Sequence, residues 1–183
     1  MACTVEEARI VQSEAECCYD KAAIERVLDT MAHALTAQFA SKNPLFLCVL
    51  NGGLITTAQL ILRLNFPLQY DYIHATRYRG KTTGDELKWI SKPSIDLKQR
   101  QIIIVDDIFD EGITLNKIVA YIKGQDPAGI TTAVLVNKNH DRKQGPAPDF
   151  VGVEVEDRYV FGYGMDYKGY LRNAEGIFAV KGT

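Results

Sequence analysis

Hydrophobic positions along the chain follow two rhythms. Between residues 14 and 41, Ala22, Ala23, Val27, Met31, Ala34, Leu35 and Phe39 recur at steps of three and four, which predicts an amphipathic helix. "KNPLFLCVLNGG" predicts a turn and a buried strand over Leu45–Leu50, ended by two glycines, and "LITTAQLILRL" predicts a helix over Leu54–Leu64. "PLQYDYIHATRY" alternates as a strand does, "RGKTTGDELK" reads as a mobile loop, and Trp89 and Ile90 close a hairpin. A run of four β-formers, Ile102–Val105, leads through a polar patch to a helix from about Ile113 to Lys123. Further on, "ITTAVLVNK" predicts a strand, "NHDRKQGPAPD" a surface loop, "FVGVEVEDRYVFGYGMDY" two short strands around a polar turn, and "GIFAVKG" a terminal strand. Strands alternating with helices predict an α/β domain with an open, mostly parallel sheet flanked by helices. Such sheets bind ligands at the carboxyl ends of their strands. The junctions "LCVLNGGLIT" and "IIIVDDIFDEGIT" fall at that edge.

Totals narrow the field. The chain has 183 residues, enough for one domain with a full core, and 46% of them are hydrophobic against 24% charged. A net charge of -2 offers no basic field for nucleic acid. No apolar run approaches the roughly 20 residues of a membrane span, and the acidic start "MACTVEEARI" lacks the layout of a signal peptide. The four cysteines, Cys3, Cys17, Cys18 and Cys48, have no zinc-site spacing. They read as reduced thiols of a cytoplasmic protein, with Cys17 and Cys18 expected on a helix and Cys48 in a strand. His33, His74 and His140 are scattered and suggest no constellation.

The candidate chemistry follows the Ile102–Val105 run. Asp106, Asp107, Asp110 and Glu111 put four carboxylates into six positions. One acid at a helix start is explained by capping and the dipole. Four repel one another unless positive charge arrives, and clustered like charges at a strand end mark a site. From Asp110 to Thr114 the segment has a second task. Gly112 allows unusual backbone angles, and the following N–H groups at a helix N-terminus suit a phosphate, with the Thr114 hydroxyl in reach. An acidic pair beside a phosphate nest suggests a ligand with both a ribose diol and a phosphate.

"IIIVDDIFDEGIT" resembles the 5-phosphoribosyl-1-pyrophosphate (PRPP) signature of type I phosphoribosyltransferases. "VLNGGL" is similar to their pyrophosphate loop, and "PDFVGVEVEDRYVFGYGMDYKGYLRN" resembles the carboxy-terminal purine hood of the hypoxanthine-guanine branch. The matches run from about residue 45 to 180. The resemblance implies a type I phosphoribosyltransferase fold in a single domain over 1–183. Its core would span about 40–140, and its small purine-binding hood would come from the N-terminal segment and about 148–183. It implies transfer of phosphoribosyl from PRPP to hypoxanthine or guanine, with Mg²⁺ as cofactor and a homodimer or homotetramer as the assembly.

It also implies residue roles. Asp106 and Asp107 would engage the ribose hydroxyls directly or through Mg²⁺, and Asp110 would be the general base beside purine N7. The backbone of Asp110, Glu111, Gly112, Ile113 and Thr114 would hold the 5′-phosphate. Glu111 stands where the family has Thr or Ser, and its side chain is expected to turn away. Lys138 would donate to the purine 6-oxo group, which selects against adenine. Tyr159 would stack on the base, Val160 would offer backbone contacts, and Asp166 would lie near a second metal. Leu50, Asn51 and Gly52 would take the pyrophosphate with Arg172, across a Leu50–Asn51 peptide that can be cis in this family. Asn51 replaces a basic residue found in some members. Arg77, Tyr78, Arg79 and Lys81 would belong to a lid that excludes water.

Other classes fit less well. "GYGMDY" lacks the third glycine and the strand-then-helix setting of a dinucleotide site, and no P-loop pattern occurs. An RNA-binding regulator on the same fold would show a basic face. A xanthine-preferring enzyme stays open, because Lys138 does not separate one 6-oxopurine from another.

Overall fold

The computed structural model describes residues 3–77 and 87–183. In chain order the elements are α1 (Val5–Glu14), β1 (Glu16–Tyr19), α2 (Lys21–Phe39), β2 (Leu45–Leu50), α3 (Gly53–Ile61), β3 (Gln69–Arg77) and β4 (Leu87–Ser91). They continue with β5 (Gln101–Phe109), α4 (Ile113–Lys123), β6 (Gly129–Asn139), β7 (Phe150–Glu156), β8 (Val160–Phe161) and β9 (Ile177–Ala179).

Six strands form the main sheet in the order β4-β3-β2-β5-β6-β7. All neighbours are parallel except the β3–β4 hairpin. β5 lies inside the sheet and is covered on both faces, which is why its apolar run does not alternate with polar residues. Ile103 and Val105 enter one core with Ile24, Leu28 and Leu35 of α2 and Leu60 of α3. Ile102 and Ile104 enter the other, with Leu115, Ile118 and Ile122 of α4. The expected α/β class and the open, mostly parallel sheet are what the chain adopts.

Three expectations change. The helix predicted from residue 14 is interrupted by β1, so Cys17 and Cys18 are in a strand. Their segment pairs antiparallel with β9, Glu16 opposite Ala179, and Tyr19 Oη donates to the carbonyl of Glu154 at 2.8 Å. Asp20 then restarts the helix by accepting the Ala23 N–H at 2.8 Å. Second, β5 does not stop at Val105. It runs to Phe109, so the acidic pair is within the strand. Third, β7, expected within the hood segment from about 148, pairs with β6 as the last strand of the main sheet. A second, three-stranded sheet has the order β1-β9-β8, in the segments expected to form the hood. All four cysteines are free thiols. No helix among the described residues is long and apolar enough to cross a membrane.

Candidate active site

Sheet register assembles the site. β2 and β5 pair in parallel as far as Cys48 opposite Val105, so the turn after Leu50 comes down beside Asp107. The Leu50–Asn51 peptide is cis. Gly52 packs so closely on the Asp107 carboxylate that a Cβ would overlap it, so any other residue here would have to displace that carboxylate. β5 and β6 pair with Phe109 opposite Asn137, so the next residues, Asp110 and Lys138, become lateral neighbours. Between these strand ends and the hood lies a cleft of about 750 Å³. Asp106, Asp107, Asp110, Thr114, Lys138 and Asp166 all line it, as do Leu50, Gly52, Gly112, Tyr159 and Val160.

Asp106 is buried and Asp107 half-buried, and each accepts one backbone N–H. Asp106 is only 8% exposed. Its Oδ1 accepts the Asp107 N–H at 2.9 Å, and Asp107 Oδ1 accepts the Ile108 N–H at 2.8 Å. Burial, followed by the charge of Asp107, pushes the Asp106 carboxyl well above its ordinary pKa. Burial raises Asp107 as well, although its hydrogen bonds and the Arg172 charge pull the other way. Both shifts favour the protonated form, and a cation would relieve both.

Asp110 is in the opposite state. His140 Nε2 lies 2.7 Å from its Oδ1, and Lys138 Nζ lies 3.3 Å from its Oδ2. Burial works to raise this carboxyl, but the His140 hydrogen bond and then the Lys138 charge overcome it and hold the pKa below the usual range. Lys138 is also 4.0 Å from Asp157, which Arg142 pairs at 2.8 Å. Asp110, His140 and Asp157 bring ligand atoms within 4.8 Å of one another, but Lys138 and Arg142 already supply this cluster with positive charge. The expected metal set of Asp106, Asp107 and Asp166 does not close that tightly. Asp166 is held by Arg172 at 2.7 Å and accepts the Gly169 N–H at 2.6 Å.

The nest is built around Gly112, at φ 84°, immediately before α4. A Cβ there would come within 2.6 Å of the Phe109 ring and 2.7 Å of the Gln144 carbonyl. Gly112 is therefore required by both its angle and its space. The loop after β6 braces this turn. The Gln144 N–H donates to the Glu111 carbonyl at 2.8 Å, and Lys143 Nζ donates to the Phe109 carbonyl at 2.7 Å. Glu111 acts by charge on Arg142.

Tyr159 is 43% exposed, lies against Tyr167 in a T-shaped pair at 5.5 Å and lines the cleft. Arg172 donates to the Gly164 carbonyl at 2.7 Å as well as to Asp166, so it ties the hood turn together. Of the lid, Tyr78, Arg79 and Lys81 lie outside the described residues, as does the side chain of Arg77, whose backbone ends β3. His140 was missed as a site residue. It is 30 positions from Asp110, and the only local signal was its place two residues after Lys138.

Comparison with known proteins identifies the family. The profile of the phosphoribosyl transferase domain matches residues 16–168. The chain is 32% identical over 159 residues to the hypoxanthine-guanine phosphoribosyltransferase of Bacillus subtilis, covering 86% of this chain and 88% of that one. It is 30% identical over 164 residues to the hypoxanthine-guanine-xanthine phosphoribosyltransferase of Tritrichomonas foetus, covering 89% and 90%. A crystal structure of a hypoxanthine phosphoribosyltransferase from Staphylococcus aureus has the same fold, with a TM-score of 0.88 at 24% identity over 94% of this chain and 95% of that one. Similarity of this extent takes in the strand ends that hold the carboxylates as well as β1 and β8 of the hood, and the chain belongs to the phosphoribosyl transferase family.

Proposed function

We propose that the protein transfers 5-phosphoribosyl from PRPP to hypoxanthine or guanine, giving the nucleoside 5′-monophosphate and pyrophosphate in purine salvage. One observation carries this reading. Within a single cleft, the adjacent Asp106 and Asp107 carboxyls, both pushed up by burial, adjoin Asp110, which His140 and Lys138 push down, with the Gly112 turn at the α4 N-terminus beside them.

The α4 N-terminus and the N–H groups around Gly112, from Asp110 to Thr114, bind the 5′-phosphate. Asp106 and Asp107 bind the ribose hydroxyls. The raised pair suits a divalent cation, and Asp106 and Asp107 would hold Mg²⁺, while Asp166, tied to Arg172, would reach such an ion only by leaving that ion pair. When bound, Mg²⁺ supplies positive charge against the leaving pyrophosphate. Leu50, Asn51 and Gly52 carry the pyrophosphate on backbone N–H groups, with Arg172 adding charge nearby. The purine lies against Tyr159, with Val160 main chain at its edge. Lys138 donates to the 6-oxo group. N9 attacks C1′ as the bond to pyrophosphate breaks, and the ionised Asp110 takes the proton from N7.

The assembly we infer is a homodimer or homotetramer. α3 buries Thr56, Thr57 and Leu60 on the sheet but leaves Leu54 50% exposed, and Leu62 just beyond it is 81% exposed. A symmetric partner would cover these residues. Light scattering decides this against the mass of a 20.4 kDa single chain.

The activity is tested by incubating the protein with PRPP, Mg²⁺ and, in parallel, hypoxanthine, guanine, xanthine and adenine. Formation of monophosphate and pyrophosphate with 6-oxopurines, absent with adenine and abolished by excess EDTA, is expected. No turnover of any 6-oxopurine overturns the reading.

A further inference from the structure

Asp110 has a neighbour to which the transfer chemistry gives no task. The His140 side chain is 4% exposed, and its two ring nitrogens have different partners. The backbone N–H of Arg142 donates to Nδ1 at 3.1 Å, and Nε2 lies 2.7 Å from Asp110 Oδ1. A ring nitrogen that accepts an N–H carries no proton of its own. The proton of the neutral imidazole is therefore on Nε2, where it donates to Asp110.

The two donors to Asp110 differ in kind. Lys138 sits on a long flexible stem, reaches Oδ2 at 3.3 Å, and is also near Asp157. An arriving 6-oxo group competes for its ammonium. His140 is buried, and its ring is held at both nitrogens. Arg142, which supplies the N–H to Nδ1, is itself anchored by its ion pair with Asp157. Among the described residues, the charged groups around this contact are Lys138 on β6, Arg142 and Lys143 in the loop after it, Asp157 after β7, and Glu111 beside Asp110.

We propose that His140 is a positioning residue for the transfer: it holds Oδ1 of Asp110 as a fixed donor, so that Oδ2 is presented to purine N7 once Lys138 moves to the 6-oxo group. The proposal rests on the phosphoribosyl-transfer reading. It gives His140 no part in moving the proton, because the Nδ1 lone pair is already used by Arg142. A base oriented by a third group is a recurring arrangement in acid–base chemistry, and here the order is reversed, with the imidazole orienting the carboxylate.

The test compares His140→Ala and His140→Gln with wild type. His140→Ala should lower kcat about tenfold, as expected when a reacting group drifts from its attack geometry, with KM for PRPP unchanged. The acid limb of its kcat/KM profile should move to higher pH, because the carboxylate has lost a donor. His140→Gln, which keeps a side-chain N–H, should recover most of kcat and return the limb toward wild type. Wild-type kcat and limb in His140→Ala overturn the proposal. So does a lower kcat with an unmoved limb and no recovery in Gln, which describes a merely structural residue. If wild type itself fails to turn over PRPP with hypoxanthine, the functional reading has failed, and two spectra still judge the contact. The ¹⁵N spectrum of the wild-type ring should find Nδ1 unprotonated, and the Asp110 carboxyl should titrate higher in His140→Ala. A proton on Nδ1, or an unmoved Asp110, overturns the proposal whatever the kinetics do.

Discussion

Asp106 and Asp110 stand four positions apart on one strand end, and the fold puts them in opposite states. Asp106 is buried beside another carboxyl and is pushed toward holding a proton. Asp110, also partly buried, has an imidazole donor and an ammonium and is pushed toward losing one. Burial acts in the same direction on both, so the neighbours decide the outcome. An acidic pair that resists ionising is a place for a cation and a diol. A carboxylate whose pKa is held down by an imidazole and a lysine is a place for a proton acceptor.

Removing the acceptor should have the largest effect. Asp110→Asn is expected to lower kcat by about 10²–10⁴-fold, the usual range for a lost general base, while PRPP affinity measured by calorimetry stays near wild type. A variant with wild-type kcat would make Asp110 structural and erase the contrast. Next comes Lys138→Ala. The purine should bind more weakly by about 1.5–3 kcal/mol, the worth of a hydrogen bond to a charged group, with PRPP affinity unchanged. The same variant leaves Asp110 with His140 alone, so its acid limb should also move to higher pH. An unmoved limb would mean that Lys138 does not act on Asp110.

The smallest effect has the opposite sign. A carboxyl whose folded pKa is raised binds protons more tightly folded than unfolded, so it costs stability as pH rises above the ordinary carboxylate range. Asp106→Asn removes that cost and keeps an oxygen for the Asp107 N–H. Thermal unfolding at pH 7 should shift upward, while Mg²⁺-dependent PRPP binding is weakened. Asp110 behaves in reverse: its depressed pKa adds stability above the unfolded value, and this is lost as pH falls through the folded one. A lower melting temperature in Asp106→Asn would show that the pair is stabilising and not poised for a cation.

How far these features are legible in the sequence follows from the range over which each is encoded. The Ile102–Val105 run and the Gly112 start of α4 are local patterns, and both are found where the sequence puts them. β1 is not local. Glu16–Tyr19 is short, half-exposed and paired with β9 at the other end of the chain, so only the helical rhythm of the following residues was visible. The Asp110–Lys138 contact depends on the β5–β6 register, which no local window contains. His140 depends on that register and on the loop turning back through Arg142. The β7 sequence runs without a break into the segment after it, so its place in the main sheet is set only by its parallel pairing with β6.

The contrast between the two acids is open to direct measurement by carboxyl ¹³C titration of Asp106, Asp107 and Asp110, with and without Mg²⁺. Asp110 should titrate below the ordinary carboxylate range and hardly respond to the ion. The Asp106–Asp107 pair should retain a proton above that range and release it when Mg²⁺ is added. A pair that titrates normally and ignores Mg²⁺, or an Asp110 that titrates above its neighbours, would contradict the account.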